Sequence, residues 1–222
     1  MKHVIITGGS GGIGRNIVNG LIIDGYRLLI IGRSRDNYEK LISFLGKNNN
    51  IEFFQADVSN LVEVQNIFSF LSRSNQNLYG LINMAAIQTP IGEFSRNDII
   101  EWSNNLSINL LGVSNMVYGF IKAKSNIKEK RKIINFSGGG VTSSRPNFSA
   151  YAVSKIGVVK LSEILADELN DINIDINSVS PGAINTNMTN EIIDAGEKSG
   201  DEYNLSLIRK HKGGDSVKKI VD

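Results

Sequence analysis

Two hydrophobic patterns alternate along this chain, and the alternation limits its possible folds more than any other feature of the sequence. Short β-rich apolar runs are followed by segments whose apolar residues recur at helical spacing, as do Ile13, Ile17 and Leu21 after the first run. The six runs read HVIIT, YRLLIIG, IEFFQ, YGLINMAA, KIINFS and INIDINSVS, and regular patterning weakens after the last one. Strands that alternate with helices predict a parallel sheet, because each parallel connection needs a crossover that covers one face. We therefore predict an α/β fold with a doubly wound parallel sheet and helices on both faces.

The composition bounds the size and the chemistry of the protein. Of 222 residues, 41% are hydrophobic, so we predict a single domain over residues 1–222 with one core. The chain has no cysteine and two distant histidines, His3 and His211, which argues against thiol chemistry and against a metal site. No apolar run is long enough to cross a bilayer and no signal-peptide pattern precedes the first strand, so we expect a cytoplasmic protein without membrane contact. The net charge is +2, and the basic run 122–132 is interpreted as a solvated helix end rather than a nucleic-acid surface.

A glycine cluster, TGGSGGIG, lies between the first strand and the first helix. Gly9, Gly11 and Gly14 fit the pattern G-x-G-x-x-G, whereas Gly8, Gly12 and Gly14 fit the looser pattern T-G-x-x-x-G-x-G. Such a loop turns backbone N–H groups and the positive end of a helix toward an anion, and the missing side chains let a pyrophosphate approach closely. A tight structural turn is the alternative. The position in the first βαβ unit favours dinucleotide binding, which is typical of a Rossmann-like fold.

The end of the second predicted strand indicates which dinucleotide is bound. An acidic residue there would hydrogen-bond the adenosine ribose of NAD, but this strand ends at Gly32 and continues with Arg33. An arginine can bind a 2′-phosphate, whereas a carboxylate would repel it. The sequence therefore favours NADP over NAD, with an ordinary surface arginine as the alternative interpretation of Arg33.

Taken together, the motifs resemble those of the short-chain dehydrogenase/reductase family from Met1 to about Met188. TGGSGGIG resembles the cofactor loop of that family, Asp57-Val58 its adenine contact and Asn83-Met84-Ala85-Ala86 its N-N-A-G segment, with departures at Met84 and Ala86. Tyr151-x-x-x-Lys155 resembles the catalytic pair, Asn109 the helix asparagine, and Pro181-Gly182 with Thr186 the loop at the nicotinamide end. The resemblance implies an NAD(P)-dependent oxidoreductase that interconverts a carbonyl and an alcohol. The cofactor contacts that it implies are Thr7, Gly8, Ser10, Gly12, Ile13, Gly14, Arg33, Asp57, Val58, Asn83, Ala85, Tyr151, Lys155, Pro181, Gly182, Ile184 and Thr186.

The four-residue spacing of Tyr151 and Lys155 puts both side chains on one face of a helix. A neighbouring ammonium lowers the pKa of a phenol, and carbonyl reduction needs a proton donor at oxygen while hydride reaches carbon. We therefore predict that Tyr151 is the acid/base. By resemblance, Lys155 also holds the nicotinamide ribose and Asn109 organises a proton-relay water. Tyr118 and Lys122 have the same spacing, and we interpret them as helix surface and packing.

One position departs from the family pattern where chemistry is expected. Counting along the strand before Tyr151, Gly138 stands where the family has a serine that contacts the substrate oxygen, and Ser137 comes one residue too early. Three alternatives stay open: the glycine-rich strand end moves Ser137 into the site, Thr142 or Ser143 supplies the hydroxyl, or the site works without one. We predict that Ser137 is a catalytic residue.

The sequence says less about the substrate and the oligomeric state than about the fold. We expect a small carbonyl or alcohol substrate, and Arg145 either meets a negatively charged substrate or, as we favour, faces solvent. The polar segment 183–214 with helical pieces suits a mobile flap, and a closing helix is expected near Asp215 without a seventh strand. Compared with the family, the chain is expected to be short at its C-terminus, and an exposed sheet edge together with helices around 105–123 and 149–170 suggests a homodimer or homotetramer. The alternatives are a catalytically weak NADP-binding regulatory protein and an enzyme that modifies nucleotide-linked sugars.

Overall fold

The computed structural model describes residues 1–46, 50–74 and 77–216. Within them, six parallel strands form one sheet in the order β3-β2-β1-β4-β5-β6. The strands are β1 His3–Thr7, β2 Arg27–Gly32, β3 Ile51–Gln55, β4 Leu78–Asn83, β5 Arg131–Phe136 and β6 Ile174–Val179. The predicted doubly wound parallel sheet is therefore confirmed.

Helices follow the strands as the hydrophobic spacing predicted. They are α1 Gly14–Ile23, α2 Arg35–Leu45, α3 Leu61–Arg73, α4 Ile99–Leu106, α5 Gly112–Lys122, α6 Ser149–Glu168, α7 Asn187–Ala195 and α8 Glu202–Lys212. A π-helical turn, Ser107–Leu111, joins α4 to α5. No helix in the described part of the chain is both long and apolar enough to cross a membrane.

Helices cover both faces of the sheet, because successive strand residues point to opposite sides. Ile5, Leu29 and Leu81 belong to a core cluster with side chains of α3, α5 and α6, whereas the next residues along each strand, Ile6, Ile30 and Ile82, belong to a cluster with α1 and α2. Strands buried on both faces read as continuous apolar runs. This explains why the strands lack the alternation of apolar and polar residues seen in half-exposed sheets.

The strand order reverses beside β1, which lies between β2 and β4. In open α/β sheets of this kind, ligands bind in the crevice at the carboxyl ends of the strands where the order reverses. The glycine cluster follows β1 at this crevice, and Asn83 ends β4 beside it. The topology therefore brings the predicted cofactor motifs to one edge of the sheet.

The segment after β6 contains α7 and α8 and passes over this edge. Its first part is fastened to the segment after α8 through Asp215, which donates its backbone N–H to the Ala183 carbonyl (3.0 Å) and accepts the Ala183 N–H on its carboxylate (2.8 Å). The closing helix expected near Asp215 would extend over residues 217–222, which lie outside the described residues. The polar stretch 47–50, which the sequence predicts to be a short loop, also lies mostly outside them.

Candidate active site

The glycine loop after β1 is folded tightly against itself and against the end of β4. A Cβ on Gly14 would lie 2.4 Å from the Gly8 carbonyl oxygen, and a Cβ on Gly8, where φ is +70°, would lie 2.7 Å from the Ala85 nitrogen. Helix α1 begins directly after this loop, without a side-chain cap and without an acidic residue in its first turn. An uncapped helix start beside a surface without side chains is suited to bind an anion.

Thr7 supports the loop rather than lining the cleft. Its side chain is buried, and its hydroxyl oxygen accepts the backbone N–H groups of Met84 and Ala85, both at 3.1 Å. The end of β4 is thereby held against the end of β1. Thr7 therefore acts on the site by positioning Ala85.

A cleft of about 430 Å³ runs along the carboxyl edge of the sheet, from the end of β2 past the glycine loop to α7. Of the predicted cofactor residues, those that line it are Gly8, Ser10, Gly12, Ile13, Gly14, Arg33, Asp57, Val58, Ala85 and Thr186. Those that do not line it are Thr7, Asn83, Pro181, Gly182, Ile184, Tyr151 and Lys155. The glycine cradle, the uncapped helix and the arginine at the far end fit an elongated ligand with a central diphosphate.

The end of the cleft at β2 is polar and aromatic. The Arg33 guanidinium lies 3.6 Å from the Asp57 carboxylate, which also accepts the backbone N–H (2.9 Å) and the hydroxyl (2.6 Å) of Ser59. Burial raises the pKa of Asp57, but the Ser59 hydrogen bonds and the Arg33 charge outweigh burial, so the pKa is lowered overall. Tyr38 stacks on Phe53, with ring centroids 4.6 Å apart, and both line this end.

Sequence reasoning missed the residues of α2 that contribute to this end. Ser34 caps α2 by accepting the Asn37 backbone N–H (3.2 Å), and Ser34, Asn37 and Tyr38 all line the cleft. The serine directly before a helical pattern was the available signal, since serine is a preferred N-cap. Capping α2 there places its first turn against the cleft.

Tyr151 lies in the first turn of α6 and is buried, with 7% of its surface exposed. Its hydroxyl lies against Gly138, where a Cβ would come within 2.2 Å of Oη. Gly138, and not Ser137, therefore faces the phenol, as the strand period indicates. Among the described residues, no side-chain hydroxyl hydrogen-bonds the Tyr151 hydroxyl, and Thr142 and Ser143 are exposed.

Lys155 lies on the same side of α6 and is fully enclosed. Its ammonium donates to the Phe136 carbonyl at the end of β5 (2.9 Å) and lies 5.7 Å from the centroid of the Tyr151 ring. Burial lowers the pKa of Lys155 to about 8. The sequence predicted that Lys155 lowers the pKa of Tyr151. That prediction is wrong for this structure: burial raises the pKa of Tyr151, and the nearby charge that opposes the rise is Arg145.

Asn109 lies in the π-helical turn and is completely buried. Its amide donates to the Ile87 carbonyl (2.7 Å) and to the Ser154 hydroxyl (3.1 Å), and its oxygen accepts the Ile87 N–H (2.9 Å). The Ser154 hydroxyl in turn donates to the Tyr151 carbonyl (2.8 Å). Asn109 thus links the loop after β4 to α6. π-helical turns are frequent at functional sites.

Asn83 belongs to a second buried amide chain. It donates to Asn135 (2.9 Å), which donates to the Ser162 hydroxyl (3.0 Å). These hydrogen bonds tie β4, β5 and α6 together. Asn83 thereby supports the site from within the sheet and does not line the cleft.

A contact between the loop after β4 and α7 was also missed. Buried Gln88 donates its side-chain amide to the Met188 carbonyl and to the Glu191 carboxylate (3.1 Å). Met188 and Glu191 line the cleft beside Thr186. No local pattern signals this contact, because its partners are 100 residues apart.

Comparison with known proteins identifies the family of this chain. Residues 2–196 match the short chain dehydrogenase family. A 3-oxoacyl-[acyl-carrier-protein] reductase FabG of Chlamydia pneumoniae is 31% identical over 199 residues, which cover 87% of this chain and 77% of that protein. A benzil reductase ((S)-benzoin forming) of Bacillus cereus is 26% identical over 219 residues, 96% of this chain and 88% of that protein. The solved structure of a levodione reductase has a TM-score of 0.84 at 24% identity and covers 99% of this chain and 87% of its own.

The chain therefore belongs to the short-chain dehydrogenase/reductase family, a family of NAD(P)-dependent oxidoreductases.

Proposed function

We propose that this protein is an NADP-dependent oxidoreductase that reduces a small carbonyl compound, with Tyr151 as acid/base. The observation that carries the proposal is the buried side chain of Tyr151, whose hydroxyl lies against Gly138 at the sheet edge that also bears the glycine loop. Relatives named as 3-oxoacyl and benzil reductases support a carbonyl substrate. When bound, a nicotinamide dinucleotide supplies the hydride equivalents of such a reaction.

The residues of the chain would bind the cofactor and transfer the proton. Gly8, Gly12 and Ile13 would hold the diphosphate against the start of α1, and Thr186 would meet the cofactor from the other side of the cleft. Tyr151 would donate a proton to the carbonyl oxygen of the substrate in reduction and take it back in oxidation. Lys155 would bind the ribose next to the reacting ring. Asn109 would hold α6 in place against the loop that follows β4.

Arg33 supports the choice of NADP. Its guanidinium is exposed at the end of β2 and lines the cleft, held loosely by Asp57 at 3.6 Å. A 2′-phosphate would find a cation and the polar start of α2 there, and no carboxylate terminates β2. A carboxylate at the end of β2 would instead favour NAD.

The proposed function is tested by binding and turnover on the same protein. NADPH and NADH are titrated by their fluorescence, and aldehydes, ketones and 3-oxoacyl thioesters are then screened for cofactor oxidation. We expect tighter binding of NADPH and turnover of at least one carbonyl class. The absence of binding for both dinucleotides would overturn the proposal.

A second candidate is a dinucleotide-binding regulatory protein with weak catalysis. Two observations favour it: glycine replaces the expected serine at position 138, and burial raises the pKa of Tyr151. Losing one oxyanion donor typically lowers the rate about 100-fold or more without abolishing it. Tight NADPH binding with no turnover across the panel would support this candidate over the first.

We also propose a homodimer or homotetramer that forms through helices α4, α5 and α6. Large apolar side chains are exposed along these helices and the turn that joins α4 to α5, and burying such side chains between subunits would remove them from water. These residues are Ile99, Ile100, Leu111, Tyr118, Val153, Ile156 and Ile164. Light scattering should give a particle mass of two or four chains, and a single-chain mass would contradict this assignment.

A further inference from the structure

Arg145 lies beside the phenol of Tyr151 instead of facing solvent. Its side chain is 14% exposed, and its guanidinium carbon lies 3.9 Å from the centroid of the Phe148 ring and 5.5 Å from that of Tyr151. Its Nε donates to the Glu202 carboxylate of α8 at 3.2 Å. Two rings and an ion pair therefore fix the guanidinium next to the predicted acid/base.

The glycine run after β5 provides the space for this arrangement. A Cβ on Gly139 would lie 3.6 Å from Cδ and Nε of Arg145, and a Cβ on Gly140, where φ is +89°, would lie 2.7 Å from the Ala152 Cβ. The backbone at Gly138, Gly139 and Gly140 thus passes close to Tyr151, Arg145 and Ala152 in turn. Gly138, at the position of the expected serine, and Gly139, beside Arg145, therefore belong to the same packed segment next to Tyr151.

In the part of the chain that the structure describes, the charged side chains near the phenol are Arg145 with its partner Glu202, and Lys155. Lys155 is the second cation, but its ammonium is directed to the Phe136 carbonyl, and burial lowers its pKa to about 8. The apolar residues packed around Tyr151 from the loop after β4 and from α7, which are Ile91, Met188 and Ile192, carry no charge. Arginine keeps its charge throughout the working pH range of proteins. Burial raises the pKa of Tyr151, and Arg145 opposes this rise.

We propose that Arg145 is a positioning residue that stabilises the anionic form of the Tyr151 hydroxyl, and that Glu202 fixes the guanidinium at the distance where it does so. This inference rests on the proposed oxidoreductase function for its catalytic consequence. In carbonyl reduction a more acidic phenol is a better proton donor, and in alcohol oxidation its anion is the base. The arginine thereby compensates in part for the serine that position 138 lacks.

The alternative role of Arg145 is a direct contact with an anionic substrate. Its ion pair with Glu202 argues against that role, because a second carboxylate or phosphate would have to compete with a fixed counter-ion. The two roles differ in what they change. An electrostatic effect on Tyr151 alters its ionisation and kcat, whereas a substrate contact alters KM for charged substrates only.

The test follows the ionisation of Tyr151 directly and needs no turnover. Phenolate absorbance is titrated against pH for the parent, Arg145→Met, Arg145→Gln and Arg145→Lys, and the signal of Tyr151 is isolated by repeating each titration in the Tyr151→Phe background. Arg73→Met, an exposed arginine at the end of α3, is the matched control. Thermal melting and NADPH binding establish which variants are folded, and either neutral variant suffices for the comparison.

We expect Arg145→Met and Arg145→Gln to move the Tyr151 titration to higher pH, Arg145→Lys to stay closer to the parent, and Arg73→Met to have no effect. With an active substrate, kcat of the neutral variants should fall about tenfold with little change in KM. An unmoved titration would overturn the inference while leaving the oxidoreductase function intact. A moved titration in a protein that turns over no carbonyl would retain the inference and reject the function. A change in KM confined to anionic substrates, without a shifted titration, would assign Arg145 to substrate binding instead.

Discussion

A Cβ atom on Gly138 would lie 2.2 Å from Oη of Tyr151, so the phenol occupies the space that any larger residue at position 138 would need. Because Tyr151 is enclosed, it cannot move away without disturbing its neighbours. We therefore expect Gly138→Ser and Gly138→Ala to lower kcat/KM about tenfold or more by displacing the hydroxyl, even though the first variant restores the residue typical of the family.

The matched control is Gly139→Ala, whose added methyl would lie at an ordinary contact distance of 3.6 Å from Arg145. Steady-state kinetics of the three variants provides the comparison. A Gly138→Ser enzyme faster than the parent would show that the site merely lacks its serine, contrary to the packing described here.

Ser137 gives a related prediction. It stands one residue before Gly138, and its backbone N–H donates to the Val179 carbonyl of β6 at 2.9 Å. Because Gly138 is the residue that faces the phenol, we expect Ser137→Ala to change kcat less than threefold, below the effect typical of a lost oxyanion donor. A loss of about 100-fold, measured under the same conditions, would restore Ser137 to the catalytic role that the sequence suggested.

The buried charge of Lys155 is expected to lower the stability of the fold although the residue is needed for turnover. Burying its ammonium lowers the pKa from 10.5 to about 8, which corresponds to a cost of roughly 3 kcal/mol while the amine is protonated in both the folded and unfolded states. Lys155→Met removes this cost. It also leaves the Phe136 carbonyl without its donor, which destabilises the folded state by about 1 kcal/mol. We expect the variant to be more stable by about 2 kcal/mol at neutral pH and to lose turnover.

The pH dependence of the unfolding free energy tests whether burial of the Lys155 charge causes this difference in stability. Between pH 8 and 10.5 the unfolded chain binds the lysine proton and the folded chain does not, so the parent gains stability as the pH rises through this window. The advantage of Lys155→Met in urea unfolding should therefore shrink over the same range. An advantage that is constant with pH would mean that desolvation of the charge is not its cause.

Thr7 offers a test of the support beneath the glycine loop. Its hydroxyl accepts two backbone N–H groups, those of Met84 and Ala85. Thr7→Val keeps the shape but leaves both donors unpaired, so we expect a loss of about 2 kcal/mol in unfolding free energy and weaker NADPH binding. Thr7→Ser keeps the oxygen and should lose much less. Equal losses in the two variants would assign the effect to packing.

Arg33 tests the cofactor preference. Arg33→Ala removes the exposed guanidinium at the end of β2 and should raise the Kd for NADPH about tenfold or more while changing that for NADH little. Arg35→Ala, at the start of α2 and not among the residues that line the cleft, is the control. Equal changes for both dinucleotides would remove Arg33 from the recognition of a 2′-phosphate.

The fold was predictable from the sequence because its determinants are local and repeated. Each strand is an apolar run with a helical pattern behind it, and strands such as β2 and β4 are buried on both faces, so their hydrophobicity is continuous. The glycine loop was predictable for the same reason, since its position between β1 and α1 is a matter of adjacent sequence.

The spacing of tyrosine and lysine was insufficient by itself. Tyr118 and Lys122 repeat it, but Tyr118 is 57% exposed on α5, whereas Tyr151 is 7% exposed on α6. Only the surrounding motifs separated the two pairs. The register of β5 did place Gly138 at the position of the family serine, because side chains alternate along a strand. It left open whether the glycine-rich strand end moves Ser137 into the site, and only the structure shows that Gly138 faces the phenol.

The environment of Tyr151 could not be derived in this way. The position of Arg145 depends on the backbone at Gly139 and Gly140 and on Glu202, which lies 57 residues further along the chain. Gln88 and Glu191 likewise meet across 103 residues. The balance between burial and charge at Tyr151 follows from such non-local packing, which is why the predicted direction of its pKa shift was wrong.

The most direct test of the central claim is the rate of NADPH oxidation by a carbonyl substrate in the Tyr151→Phe variant, with Tyr118→Phe as the control for the same spacing on an exposed helix. We predict that Tyr151→Phe binds NADPH as tightly as the parent and loses turnover by about 100-fold or more, while Tyr118→Phe keeps the activity of the parent. A Tyr151→Phe protein that remains as active as the parent would contradict the account.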